Sequence, residues 1–322
     1  MLVSNMMFTK KNIIERISVN CPFLSTGSIA GLLAICMGIK MSIILEKVTK
    51  RYDRTVVSQV SFKLDRNQNL AILGRNGSGK STIIKMILGL KQPSEGNVII
   101  DKGLKIGYLP EERGLYMDTT VYENLDLFAR LAHVTNRKKV KDYWLERMDI
   151  GKYRDFKLKF LSKGNAQKLQ LAVALINEPE LIILDEPFSG LDPINMSLFI
   201  DVIKEKTKGK YMIMSSHQMN RVEELCDDVI LMNQGEVIVQ GNINEIKEKY
   251  SRNEIRIPYS PELENIFKEY DLKSDGKEIT ISVSPKDSKA LSILKKVIAE
   301  KNMEYFHYNK TNLNDLFVNL LS

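Results

Sequence analysis

Nine consecutive residues, Gly74-Arg75-Asn76-Gly77-Ser78-Gly79-Lys80-Ser81-Thr82, constrain this chain more than any other feature. They follow a short apolar run, Leu70-Ala71-Ile72-Leu73, and precede Ser81 to Leu90, where Ile83, Ile84, Ile87 and Leu88 recur at helical spacing. Strand, glycine turn, helix is the context in which G-x-x-x-x-G-K-[ST] holds phosphate. Glycine lets the backbone turn tightly enough for successive N–H groups to face phosphate oxygens, and the helix N-terminus adds its partial positive charge. Lys80 is then placed to neutralise β- and γ-phosphates, and the Ser81 hydroxyl to meet Mg2+. By composition alone about one chain in a hundred of this length would carry the bare pattern, so its strand–helix context is what raises it to a nucleoside triphosphate site.

A second acidic element fits the first. Leu181-Ile182-Ile183-Leu184 is a continuous apolar run that ends in Asp185-Glu186-Pro187. Such a run reads as a central strand of a parallel sheet, and open α/β sheets place ligands at the carboxyl ends of their strands. Asp185 suits Mg2+, an ion that takes oxygen ligands and keeps several waters. Glu186 is the candidate general base, a role usually worth about 10²–10⁴ in rate.

Three further stretches specify a family. Leu161-Ser162-Lys163-Gly164-Asn165, followed by Gln167 and Lys168, resembles the LSGGQ signature of ABC ATPases; Ser189-Gly190-Leu191-Asp192-Pro193 resembles their D-loop; and Ser215-Ser216-His217 follows a strand, as their switch histidine does. The order Tyr52, cradle, Glu111, signature, acids, D-loop, His217 is also that family's order, over about Met41 to Gly241. The resemblance implies that Tyr52 stacks on adenine and that His217 holds the γ-phosphate and the attacking water. It implies that Ser162, Lys163, Gly164 and Asn165 contact the ATP of a second copy, in a homodimer or heterodimer of ATPase domains, and that Asp192 ties the halves together. Two departures stand out. Lys163 and Asn165 replace the consensus Gly and Gln, and Glu111 stands where the family carries a glutamine, as a third oxygen donor for Mg2+ beside Ser81 and Asp185.

Strand and helix signals alternate through most of the chain, which predicts an α/β fold: a P-loop NTPase of ABC type with a mostly parallel sheet, a helical insertion over Thr119 to Met148 and a small C-terminal α/β domain. The expected boundaries are 1–40 for an N-terminal extension dispensable to the functional chain, 41–250 for the ATPase domain and 251–322 for the accessory domain. In the extension only Ile29 to Ile39 is strongly apolar, too short for a span of about 20 residues, and beyond Met41 no stretch is long and apolar enough. A net charge of +7 favours phosphate or an anionic membrane surface as neighbour. Cys21, Cys36 and Cys226 form no metal or disulfide framework and fit a reducing cytosol.

With one ATPase domain and no transmembrane bundle, the resemblance implies an ATP-hydrolysing subunit on the cytoplasmic face of a membrane, using ATP and Mg2+ to drive a separate transmembrane permease subunit. Tyr108 to Tyr116, the Ser-Lys-Gly-Asn signature and Asn312 to Phe317 look like the bacterial sodium-efflux and drug-export type, which favours export. The alternative is a soluble ABC ATPase acting on ribosomes or DNA. Such relatives carry two ATPase domains or long coiled coils, this chain has neither, and no nucleic-acid partner is expected.

Overall fold

In the computed structural model the described residues are 42–321, except 102, 113, 252, 285, 286 and 302–304. The N-terminal extension expected over 1–40 lies outside them. The described chain divides into two compact units: one reaches Gln218 and includes Glu224–Val239, the other holds Met219–Glu223 and the residues from Gln240 onward.

The first unit opens with β1 (Ser42–Arg51), β2 (Thr55–Asp65), β3 (Asn69–Gly74), α1 (Lys80–Ile87), β4 (Glu95–Ile99) and β5 (Ile106–Leu109). It continues through α2 (Val121–Leu131), α3 (Arg137–Arg147), α4 (Lys163–Leu175), β6 (Leu181–Asp185), α5 (Pro193–Thr207) and β7 (Tyr211–Ser216). After α6 (Met219–Leu225) come β8 (Asp228–Asn233) and β9 (Glu236–Asn242). Six strands form one sheet in the order β5-β6-β7-β3-β8-β9, parallel from β5 through β8. β6 and β7 are buried at every position, which is why they read as unbroken apolar runs rather than alternating ones. β8 and β9 are joined through Gln234 and Gly235, both at positive φ, the geometry of a tight hairpin turn.

The expected mostly parallel sheet is present, and beside it stands a separate antiparallel sheet, β2-β1-β4. Its strands alternate because one face meets the core, where Ile43, Leu45, Phe62 and Leu64 pack with Ile72, Ile83 and Ile230. The helical insertion is α2 and α3. A capping box, Thr120 with Glu123, starts α2, and Trp144 of α3 is buried.

One register decides the function of this unit. β6, β7 and β3 are neighbours, with Asp185 opposite Ser215 and Leu73 opposite Ser216. The cradle after β3, the acids closing β6 and His217 after β7 therefore leave adjacent strands at the same edge of the sheet.

The second unit adds α7 (Ile243–Tyr250), β10 (Asn253–Pro258), α8 (Pro261–Ile266), β11 (Asp271–Ser274), β12 (Glu278–Val283), α9 (Ser288–Lys301), β13 (His307–Asn309) and α10 (Leu313–Leu321). From β10 to β13 this is a βαββαβ split unit, antiparallel in the order β11-β12-β10-β13. Ile255, Ile257, Ile279, Ile281 and Val283 point inward at every second position and meet Leu263, Phe267, Ala290, Leu294 and Val297. α8 stops at Ile266 and the chain turns, with Tyr270 N–H donating to Phe267 O, into β11. That strand is not legible beforehand, because Leu272 is its only apolar residue and pairing with β12 defines it. Glu223 pairs with Lys247 at 2.9 Å and accepts from Leu313 N–H at 2.9 Å, joining α7 to the start of α10. Among the described residues no helix is long and apolar enough to cross a membrane.

Candidate nucleotide-binding site

Between β3 and α1 the backbone makes a turn that side chains oppose. Gly77 and Gly79 lie at φ +81° and +105°, and a Cβ added to Gly79 would sit 2.7 Å from the backbone oxygen of Val56. The loop closes through Ser78 N–H to Arg75 O and Thr82 N–H to Gly79 O. The buried Lys80 ammonium donates to Gly74 O at 2.8 Å and Arg75 O at 3.3 Å. Its charge is thus held inside the loop by carbonyls, which are weaker partners than a phosphate.

The acids converge on this loop. Asp185, buried at the end of β6, accepts from Ser215 Oγ, and Ser215 Oγ accepts from Glu186 N–H at 3.0 Å. That N–H also reaches Ser215 O at 3.2 Å. These bonds hold Glu186 at φ +49°, a conformation that glutamate seldom takes and that sets its carboxylate apart from that of Asp185. Glu186 Oε2 lies 2.8 Å from His217 Nδ1. Burial pushes the Glu186 carboxyl above the ordinary carboxylate range, opposed by the neighbouring His217 and the Lys80 ammonium. Asn76, Gly77, Lys80 and Ser81 line a cleft of about 230 Å³ with Glu111, Asp185 and Glu186. Thr82 and Gly79 border the same cleft.

Ser81, Asp185 and Glu111 therefore line one small cleft, a set of oxygen-bearing side chains that fits Mg2+. Among the described residues no three His, Cys, Asp or Glu side chains stand together as a chelating cluster.

Other residues expected at the site stand around the cleft rather than in it. Tyr52 is exposed in the turn after β1, with Lys50 Nζ 5.2 Å and Lys91 Nζ 5.9 Å from its ring centroid. Ser162 caps α4, accepting from Asn165 N–H at 3.3 Å, and Lys163 is exposed with its aliphatic stem beside Gly190. Asp192 caps α5 through Ile194 N–H at 3.1 Å and Asn195 N–H at 2.9 Å, and its other oxygen accepts from Asn195 Nδ2. A Cβ on Gly164 would lie 3.1 Å from that same Asn195 Nδ2, so the signature turn and the Asp192 cap pack directly.

Sequence reasoning missed three residues that set this geometry. Ser215 bridges Asp185 and Glu186, and Gln167 and Gln170 of α4 donate to backbone carbonyls at Pro187 and Pro110. The prior signals were positional: Ser215 precedes His217 by two, Gln167 follows the signature, and Gln170 sits three residues further along the same helix.

Comparison with known proteins gives the family. Residues 57–189 match the family model for ABC transporters. An uncharacterized ABC transporter ATP-binding protein of Methanocaldococcus jannaschii is 42% identical over 65% of this chain and 81% of its own length. The zinc import ATP-binding protein ZnuC of Rickettsia prowazekii is 37% identical over 62% of this chain and 85% of its own. An ATP-binding subunit of an ABC transporter matches 65% of this chain and 93% of its own with a TM-score of 0.60 at 28% identity. A dimeric ATP-binding cassette in a post-hydrolysis state with ADP and Pi matches 62% of this chain and 98% of its own with a TM-score of 0.58 at 25% identity. The chain belongs to the ATP-binding subunits of ABC transporters. It is an ATPase, and ATP is its nucleotide.

Proposed function

We propose that this subunit powers export through a separate transmembrane permease, bound peripherally to the cytoplasmic face of the membrane and working as a pair of ATPase domains. The observation that carries the catalytic half of this reading is the single cleft that gathers Lys80, Ser81, Glu111, Asp185 and Glu186. ATP would lie with its phosphates over the cradle and its adenine against the exposed ring of Tyr52, in place of the Lys50 and Lys91 contacts. Lys80 exchanges its carbonyl partners for β- and γ-phosphate oxygens. Ser81, Asp185 and Glu111 would hold Mg2+, which would supply positive charge to neutralise the phosphates. Glu186 accepts a proton from the water that attacks the γ-phosphorus as the bond to the β-bridging oxygen breaks, releasing ADP and phosphate. His217, bonded to Glu186, keeps that carboxylate aimed and ionised. Ser162, Lys163, Gly164 and Asn165 of a second copy close over the γ-phosphate, with the Asp192 turns of the two copies facing each other.

Export rather than import rests on the resemblance of Tyr108 to Tyr116, of the signature and of Asn312 to Phe317 to the sodium-efflux and drug-export type. The zinc-import relative makes direction the part most in need of a test. Glu186→Gln should bind ATP without hydrolysing it and hold the paired state. Purified with ATP and Mg2+ from detergent-solubilised native cells, it should carry a polytopic membrane protein in stoichiometric amount. Transport by the reconstituted pair in inverted vesicles, where export appears as uptake, then reads direction. Ribosomal proteins or nucleic acid in place of a permease would replace this reading with a soluble ATPase.

A further inference from the structure

We propose that Gln170 is a positioning residue for ATP hydrolysis: from within α4 it fixes the turn that carries Glu111, so that this carboxylate follows the signature residues at the head of the same helix. α4 begins at Ser162–Asn165, and Gln167 and Gln170 are neighbours three apart on it, both buried. Gln167 Nε2 donates to Pro187 O at 3.2 Å, directly after Asp185 and Glu186. Gln170 Nε2 donates to Pro110 O at 2.8 Å and, at the longer distance of 3.4 Å, to Glu112 O. The two glutamines therefore reach two loops, and each loop brings a carboxylate to the 230 Å³ cleft.

Packing does not account for Gln170. It is 3% exposed, among Leu169, Leu171 and Ala174 in sequence, and its Oε1 accepts no hydrogen bond from the described residues. A buried acceptor left unpaired carries a desolvation cost that leucine of similar volume avoids. What the amide supplies is its donated bonds, chiefly the 2.8 Å bond to Pro110 O. The residues they hold, Pro110 to Glu112, lie between β5 and α2 and belong to no strand or helix. A side-chain bond is thus what ties Glu111 to the helix of the signature. Any shift of α4 when Ser162 to Asn165 engage a second copy's ATP is transmitted to Glu111 over one hydrogen bond.

The inference rests on the proposed reading of Glu111 as an oxygen donor to Mg2+, and the experiment separates the two. In the full chain, Gln170→Leu removes the bonds and the unpaired oxygen together. The expected result is a melting temperature equal to or above wild type, KM for ATP within about twofold, and kcat about tenfold lower. The affinity for Mg2+, titrated calorimetrically with a non-hydrolysable ATP analogue bound, should fall by a similar factor, the usual size of an outer-shell effect. In a Glu111→Ala background the same substitution should add nothing further. Equal losses in both backgrounds, or wild-type kcat and Mg2+ affinity in Gln170→Leu, would overturn the inference. Glu111→Ala with wild-type Mg2+ affinity would overturn the reading of Glu111 and this inference with it; an impaired Glu111→Ala beside a silent Gln170→Leu removes only Gln170. Gln170→Met deletes the same bonds with an unbranched chain and carries the same outcomes if the leucine variant does not fold.

Discussion

The cleft of the first unit and the βαββαβ sheet of the second are built on opposite terms. The cleft keeps Lys80, Asp185 and Glu186 buried within one small space, holds Glu186 at positive φ, and needs glycine where a side chain would strike Val56 O. The second unit buries alternating isoleucines, valine and leucine and leaves its charges outside: Arg256 with Glu254 at 2.9 Å and Lys289 with Glu269 at 3.2 Å are exposed pairs, worth little in water. Strain and buried charge mark where the molecule does chemistry. Where they are absent, burial has set the sequence.

That contrast predicts the two largest effects at the cleft. Glu186→Gln keeps shape and nucleotide binding but removes the base, so kcat should fall by about 10²–10⁴; steady-state phosphate release measures it, and unchanged turnover would take Glu186 out of the mechanism. Next comes Gly79→Ala. Its φ of +105° and the 2.7 Å approach to a backbone oxygen leave the new methyl nowhere to go. Strain of about 1–3 kcal/mol should appear as a one- to two-decade loss in ATP affinity by equilibrium titration. Wild-type affinity would mean that the cradle relaxes without cost.

How much of this was legible beforehand follows the same division. The cradle, Asp185, Glu186 and Glu111 could be read because each is a local string whose chemistry demands fixed residue types, and the fold brings them to one cleft. β6 announced itself by an unbroken apolar run, and α2 and α3 lie within the helical insertion expected over Thr119 to Met148. What could not be read lies in tertiary register. Nothing local says that Ser215 faces Asp185, since that follows from β6 pairing with β7. Nothing local assigns Gln170 to Pro110, sixty positions away. β1, β2 and β4 gave strand signals but not the information that they form their own sheet, because antiparallel partners are chosen by packing and not by any one strand.

At the second unit the comparison predicts a structural loss without a catalytic one. Ile281 is fully buried at the centre of β12, paired with Ile255 and Leu272 on either side. Ile281→Ala should cost that sheet about 2–5 kcal/mol, seen by hydrogen exchange as early opening of β10 to β13. The kcat of the isolated subunit should stay within about twofold. An ATPase that fails together with the sheet would show that the two regions are energetically one, and the contrast drawn above would not hold.

The smallest effect is the most discriminating, because it reads the buried charge itself. The folded chain raises the Glu186 pKa above its unfolded value, so the folded state binds that proton more tightly than the unfolded state does. Stability contributed by this group is therefore fully present below the unfolded carboxylate pKa and is lost as pH rises through the folded one. The amide that replaces this carboxyl in the Glu186→Gln variant never ionises and escapes that loss. Without nucleotide, Glu186→Gln should melt above wild type at pH 8, and the difference should close as pH falls toward 4. His217 opposes the upward shift, so His217→Gln should move the acid limb of kcat to higher pH. A gap between wild type and Glu186→Gln that stays constant from pH 4 to 8 would assign the difference to packing and not to charge, and the cleft would then differ from the second unit in shape alone.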